Sequence, residues 1–319
     1  MPLEDALKEF LYECELRKFT WKTVKSYRNG LEYLINYLKQ EQNVECVENI
    51  ESRHLKAFFR YQQKKGRKET YLNGLIKVYR AFFKYLIEGE YLAVNPILKV
   101  NWMKEPKTII KTFSDDEVRR MLNVYCERDY LSVRNRAIIA MLFDTGIRNY
   151  ELCTLPESNI KDNYIVIFGK GKKERQVGKS PYLSKILMKY ERTKKGYFEH
   201  KNIKNDNYFL SRTGRPLTTE AVERVVTIVA KIAEVSDSVR ASPHTCRHTF
   251  AQMQLRNGID VYQLSRLMGH ENIRITQRYL EGLQDAQIVT ESIRTSEEYQ
   301  GDPDLVSGEL GNFIIGIQG

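Results

Sequence analysis

Over the first hundred residues the apolar positions fall three and four apart, a period that predicts helices only. Leu3, Leu7, Phe10 and Leu11 mark the first helix. Thr20 opens a second, with Tyr27, Leu31, Leu34, Ile35 and Leu38 on its apolar face. Ser52 is placed to cap a third, HLKAFFRYQQKK, which ends at Gly66. A fourth runs from Glu69 towards Leu92, with Leu72, Leu75, Ile76, Tyr79, Phe82, Phe83 and Leu86 inside, until Gly89, Asn95 and Pro96 stop it. Four helices with short connections predict one small bundle over residues 1–105.

The period then breaks. NWMKEPKTIIKTF (101–113) is extended, contains Pro106 and has no helical repeat, so a domain boundary is expected there and a second domain from 106 onward. Ser114 followed by Asp115, Asp116 and Glu117 reads as a helix start, a cap residue and then acids against the helix dipole. Helices are expected to about Leu155. The stretch 163–177, NYIVIFGKGKKERQV, alternates around a Gly-Lys-Gly-Lys turn and predicts a β-hairpin. Helices resume near Ser184, Thr218, His244, Val261 and Ile275. The fold expected is mostly α with a small β-sheet: a helical bundle followed by a mixed α/β domain, without internal repeats.

Composition narrows the class. A chain of 319 residues, 42% hydrophobic and 29% charged, is long enough for two domains with cores. Its longest uninterrupted apolar run, Ala137 to Phe143, is far short of a membrane span. The acidic, amphipathic N-terminus is not a secretory signal. Five widely spaced cysteines (14, 46, 126, 153 and 246) lack any CxxC pair and suit free thiols in a reducing compartment. A cytoplasmic protein is expected. Residues 1–105 carry a net +5, residues 106–280 a net +12 and residues 281–319 a net −7. A basic body with an acidic tail suits a polyanion partner, DNA or RNA being the commonest, and is also compatible with a well-solvated surface. KKGRKETY (64–71) mixes cations with tyrosine, which fits phosphate contacts and an ordinary solvated turn equally well.

Gly178-Lys179-Ser180 resembles the end of a nucleotide P-loop, but position 173 is Lys where the first glycine belongs, and Pro181 follows at once. SPHTCRHTFA (242–251) is more informative. Ser242 and Pro243 suit a helix start, which puts His244 and Arg247 on one face, an imidazole beside a planar guanidinium that matches phosphate oxygens. A capping histidine with a surface arginine is the plain competing reading. Zinc is a second competitor, since His244, Cys246, His248 and His270 are ligand types. Positions 244, 246 and 248 of one helix cannot all meet one ion, so no metal site and no cofactor are expected.

TGIRNYELCTL (145–155) places Arg148 after a Thr-Gly break, and LMGHENIRITQRYLE (267–281) places His270 at a Gly-His turn, nine residues before Tyr279. Together with FGKGKKERQV and SPHTCRHTFA, in this order and at this spacing, these segments resemble the tyrosine recombinase (phage integrase) family, particularly its compact Xer-like members. The resemblance runs through the motifs of residues 107–285, and over residues 1–105 through length and helical content.

It implies an N-terminal helical, SAM-like core-binding domain (1–105), a catalytic domain (106–285) and a C-terminal tail (286–319). The implied activity is site-specific DNA recombination. Tyr279 attacks a DNA phosphorus, leaving a 3′-phosphotyrosyl enzyme and a free 5′-hydroxyl. Bond energy is kept in the intermediate, without ATP or metal. Arg148 and Arg247 would clamp the non-bridging oxygens, His270 would add a hydrogen bond, and His244 would act as acid/base towards the phenol. In this family a lysine of the hairpin turn protonates the departing oxygen. Lys170 fits the Gly-Lys-Gly pattern best, with Lys172 as the alternative. Glu151, three after Arg148, either orients that arginine or makes a plain surface pair, and His248 reads as structural.

The sequence departs from the family at Cys246, where leucine is usual, at QVGKSP after the hairpin, and at Leu-Glu after the tyrosine. About forty residues follow Tyr279, of which 281–292 suit a helix that docks on a neighbouring protomer, and the acidic remainder suits solvated disorder. The partners implied are double-stranded DNA and further copies of the chain, a tetramer on two DNA sites, with the need for a second recombinase left open. A type IB topoisomerase and a catalytically silent DNA-binding regulator of the same fold are the rivals, and the presence of all six catalytic groups argues against the second.

Overall fold

The computed structural model describes residues 1–106, 110–125, 129–169 and 174–279. The chain divides into two compact units, Met1–Thr108 and Ile109–Gly319. Lys170, Lys172, Cys126, the 281–292 segment and the 286–319 tail lie outside the described residues.

The first unit is the expected bundle: α1 (Leu3–Leu16), α2 (Trp21–Gln42), α3 (Ser52–Lys64) and α4 (Glu69–Glu88). Leu31, Leu34, Leu38, Leu55, Phe58, Leu72, Ile76, Tyr79, Phe82 and Phe83 are almost wholly removed from water in one core, the main drive for a bundle of this size. The Thr20 hydroxyl caps α2 by accepting from the Thr23 amide at 3.3 Å.

Two boundaries differ from the periodic pattern. Glu51, not Ser52, caps α3, because Glu51 and His54 exchange reciprocal bonds across the first turn. Ser52 is the first helical residue and donates instead to the Pro96 carbonyl at 2.9 Å. α4 stops at Glu88 rather than near Leu92, since Gly89 and the left-handed Glu90 (φ 60°) turn the chain back on itself. Buried Asn73 of α4 donates to the Met103 carbonyl (3.0 Å) and to Glu105 (2.6 Å), and accepts from the Met103 amide (2.8 Å). One side chain thereby fixes the extended segment leaving the bundle.

The second unit holds α5 (Asp115–Leu122), α6 (Tyr130–Thr145), α7 (Asn149–Cys153), the hairpin β1 (Tyr164–Phe168) and β2 (Glu174–Gly178), α8 (Pro181–Phe198), α9 (Thr219–Ile232), α10 (Pro243–Arg256), α11 (Val261–Met268) and α12 (Ile273–Gln277). Ser114 and Glu117 form the reciprocal cap expected at the start of α5. The apolar run Ala137–Phe143 lies in the centre of α6 and is buried on all sides. Among the described residues the sheet is a single antiparallel pair, with Tyr164 opposite Gly178 and Phe168 opposite Glu174. α8 begins before Ser184: Ser180 caps it from its side chain and Pro181 takes the first helical position, where a missing amide costs nothing. The Ser180 hydroxyl and amide both bind half-buried Asp144, so Gly178-Lys179-Ser180 is a helix cap facing a carboxylate. Among the described residues, no helix is long and apolar enough to cross a membrane.

Candidate active site

Two left-handed glycines set the frame. Gly146 (φ 57°) ends α6 and turns the chain so that Arg148 caps α7, while Gly269 (φ 62°) ends α11 and presents His270. A Cβ at 146 would lie 2.3 Å from the Phe250 ring, and one at 269 would lie 2.9 Å from Arg175 Cδ. At the start of α10, the Ser242 hydroxyl accepts from the Thr245 amide at 3.2 Å and Pro243 fills the first turn, placing His244 and Arg247 on the face turned to these loops.

Three arginines from three elements meet at the C-terminus of α11, whose last carbonyls have no partner within the helix. Arg175 Nε of β2 donates to the Leu267 carbonyl (2.9 Å), Arg247 Nη2 to the Met268 carbonyl, and Arg148 Nη2 to the Gly269 carbonyl (2.8 Å). Arg247 Nη1 also reaches the Gly146 carbonyl, and Nη2 lies 3.2 Å from His270 Nε2. His270 Nδ1 is 2.8 Å from the Thr276 hydroxyl. Glu151 answers two of the cations. Its Oε1 accepts from Arg148 Nη1 (2.9 Å) and Arg175 Nη1 (2.9 Å), and its Oε2 from Arg175 Nη2 (2.6 Å) and the Arg148 amide (2.9 Å).

The result is a pocket of three guanidiniums against one carboxylate, a net positive site built for an anion. Burial acts to raise the Glu151 carboxyl, but the bonds and charge of Arg175, then of Arg148, hold it below the ordinary range. Arg247 is only 4% exposed. Burial, with Arg148 and Arg175 beside it, pushes its guanidinium down to about 9, so it is still a cation at neutral pH. This excludes the surface-arginine reading.

Tyr279 is 3% exposed and packs with Phe250, Ala251, Leu264 and Met268. Burial raises its phenol, and Arg247 and Arg148 pull it back. Its ring is nearly parallel to that of His270 (14°) at 6.3 Å and lies 5.2 Å from His248. His248 in turn meets His244 at 4.1 Å. All three histidines are lowered: burial leads in each, followed by Arg247 for His244 and His270 and by His244 for His248, and the last two fall to about 4.

Arg148, Glu151, His244, Arg247, His270 and Tyr279 are thus brought together. Glu151 is buried between two arginines, which removes the plain surface pair. Two neighbours were not anticipated. Arg175 ends the Lys-Glu-Arg run, and its place two before buried Val177 on a strand is the signal that it points inward. His248 follows His244 by one helical turn, so the two share a face and only Cys246, fully buried, diverges. His248 lies beside the phenol, with a buried Nδ1 that makes no hydrogen bond to the protein. Among the described residues, no three His, Cys, Asp or Glu side chains are grouped to hold a metal ion.

Residues 111–285 match the model of the phage integrase family, and residues 7–90 that of the phage integrase N-terminal SAM-like domain. The chain belongs to the phage integrase family. It is a tyrosine recombinase, an enzyme that cuts and rejoins DNA. Relatives of this recombinase include tyrosine recombinase XerD of Listeria innocua serovar 6a, 26% identical over 280 residues (87% of this chain, 94% of the relative). A tyrosine recombinase of Agathobacter rectalis is 31% identical over 297 residues (87% and 92%). In fold the recombinase resembles the XerH site-specific recombinase bound to palindromic difH substrate in a post-cleavage complex, with TM-score 0.72 and 18% identity over 88% of this chain and 82% of that one. It also resembles a lambda integrase tetramer bound to a Holliday junction, with TM-score 0.68 and 16% identity over 88% and 77%.

Proposed function

We propose that this recombinase acts at specific sites on double-stranded DNA, with Tyr279 as its nucleophile. The observation that carries the reading is the convergence of Arg148, Arg247 and His270 on one face beside the Tyr279 phenol. The phenolic oxygen bonds to phosphorus as the bond from phosphorus to the 5′-oxygen breaks, leaving a 3′-phosphotyrosyl link and a free 5′-hydroxyl. Arg148 and Arg247 take the charge that builds on the non-bridging oxygens, and His270 adds a contact there. His244, whose pKa is lowered by partial desolvation and by Arg247, is suited to accept the phenol proton. The departing 5′-oxygen takes its proton from a hairpin-turn lysine, Lys170 in preference to Lys172. Neither ATP nor a metal ion takes part.

In this reading residues 1–105 and 106–285 form a core-binding and a catalytic domain that hold the duplex mainly through its phosphates. Four protomers on two sites exchange strands, and the 281–292 segment serves docking between them. The test needs no known site. Wild type and Tyr279→Phe are incubated with nicked fragments of source DNA in EDTA and denatured, and DNA bound covalently to protein is recovered. Adducts from wild type alone support the reading. An adduct that survives in Tyr279→Phe assigns the wrong tyrosine, and DNA binding without any adduct favours the silent regulator.

A further inference from the structure

Arg175 belongs to none of the roles above, yet all three of its guanidinium nitrogens are bonded within the site. Its guanidinium forks onto both oxygens of Glu151, its Nε holds the Leu267 carbonyl, and its stem lies against Gly269 where a methyl group would collide. The side chain is 9% exposed, against 39% for Arg148. Arg175 is therefore turned away from an incoming phosphate and towards the groups that meet one.

The division of Glu151 between the two arginines gives this meaning. Arg175 takes both carboxylate oxygens, which leaves Arg148 a single side-chain bond to Oε1 and a second to the Gly269 carbonyl. A carboxylate and a guanidinium left to themselves pair bidentately. Without Arg175, Glu151 would close on Arg148 alone and compete with phosphate for it. The Leu267 carbonyl, two residues before the Gly269 turn that bears His270, would lose its tie to β2 as well.

We propose that Arg175 is a positioning residue for DNA cleavage, which occupies Glu151 and the Leu267 carbonyl so that Arg148 and the His270 turn stand ready for the scissile phosphate. The inference rests on the functional reading above. Arg175 acts through Arg148, and a merely structural ion pair would not behave as follows. Removing Arg175 slows cleavage, and removing Glu151 as well restores part of the rate, since nothing then captures Arg148.

The experiment compares wild type, Arg175→Gln, Glu151→Gln and the double variant in covalent adduct formation with nicked source-DNA fragments. DNA is saturating, and the temperature is one at which circular dichroism shows every variant folded. Arg175→Gln should form adducts on the order of 10²-fold more slowly, the scale of a small misplacement of a catalytic group, while still retarding a random-sequence duplex in a gel. The double variant should be faster than Arg175→Gln. A double variant no faster than Arg175→Gln, or Arg175→Gln at the wild-type rate, overturns the proposal. If Arg175→Gln does not fold, Arg175→Lys keeps a charge at Glu151 but loses the fork. It should be slower than wild type, and an equal rate overturns the proposal. Failure of wild type itself to form adducts removes the functional reading and this one with it.

Discussion

Arg247 Nη2 lies 3.2 Å from His270 Nε2, and because a guanidinium only donates, this ring nitrogen is the acceptor. The proton of the neutral imidazole therefore sits on Nδ1, which donates to the Thr276 hydroxyl at 2.8 Å. Two residues assigned to one phosphate are thus bonded to each other before any phosphate arrives. For His270 to donate to that phosphate its proton moves to Nε2, with the Thr276 hydroxyl then donating to Nδ1. The contact holds His270 in the uncharged form, as burial and the three nearby arginines also do.

This fixes the acid stability of the catalytic unit. His248 and His270 are lowered to about 4 from an ordinary 6.5, and His244 is lowered too. Between these values the unfolded chain binds more protons than the folded one, so stability is complete above pH 6.5 and falls as pH drops towards 4. Thermal melts of the DNA-free protein should show Tm decreasing through this window. A Tm that stays level as the pH falls through it would contradict histidines held neutral in the fold.

Gly146→Ala and Gly269→Ala should separate stability from activity. Both positions are left-handed, which strains any residue with a Cβ. At 146 the new methyl meets the buried Phe250 ring at 2.3 Å, so the cost should be roughly 2–5 kcal/mol, strain plus overpacking. At 269 it meets the Arg175 stem at 2.9 Å, which can shift more readily than a buried ring but only by disturbing its bonds to Glu151 and Leu267, so about 1–2 kcal/mol of backbone strain is the lower bound. Displacing Arg175 should nevertheless slow adduct formation in Gly269→Ala. Urea unfolding and adduct kinetics on both variants check the contrast.

Much of this architecture is written locally in the chain. The helical period of residues 1–105, the caps at Thr20, Ser114 and Ser242, and the Thr-Gly and Gly-His breaks beside Arg148 and His270 are decided by neighbours a few residues apart. What escaped the sequence depends on distant partners or on competition between local ones. Arg175 becomes meaningful through Glu151 and Leu267, which only the folded chain brings to it. His248 reads as structural until Tyr279 arrives beside it. Glu51 displaces Ser52 as a cap because His54 reciprocates, and α8, expected near Ser184, starts at Pro181 because Ser180 caps it.

His248 should act through shape. Its ring contacts those of both His244 and Tyr279, its Nδ1 makes no hydrogen bond to the protein, and its low pKa keeps it uncharged. His248→Phe, which keeps a flat ring, should retain most adduct formation. His248→Ala, which opens a void beside the phenol, should lose roughly tenfold or more through misplacement of the nucleophile. Equal losses in both variants would instead mean that an imidazole nitrogen takes part.

Arg148 and Arg247 should fail in different ways when each is replaced by alanine. Loss of either removes one cation from the phosphate site, an effect on the order of 10²–10³ in rate. Arg247, however, also satisfies the Gly146 and Met268 carbonyls from a buried position. Its removal leaves two acceptors without partners, at about 1–3 kcal/mol each. Arg148 is partly exposed and shares Glu151 with Arg175, which continues to answer that carboxylate alone. Arg148→Ala should therefore keep a Tm near wild type while cleavage collapses, and Arg247→Ala should lose both. Comparable melting of the two variants would mean that Arg247 is not the tie between the ends of α6 and α11.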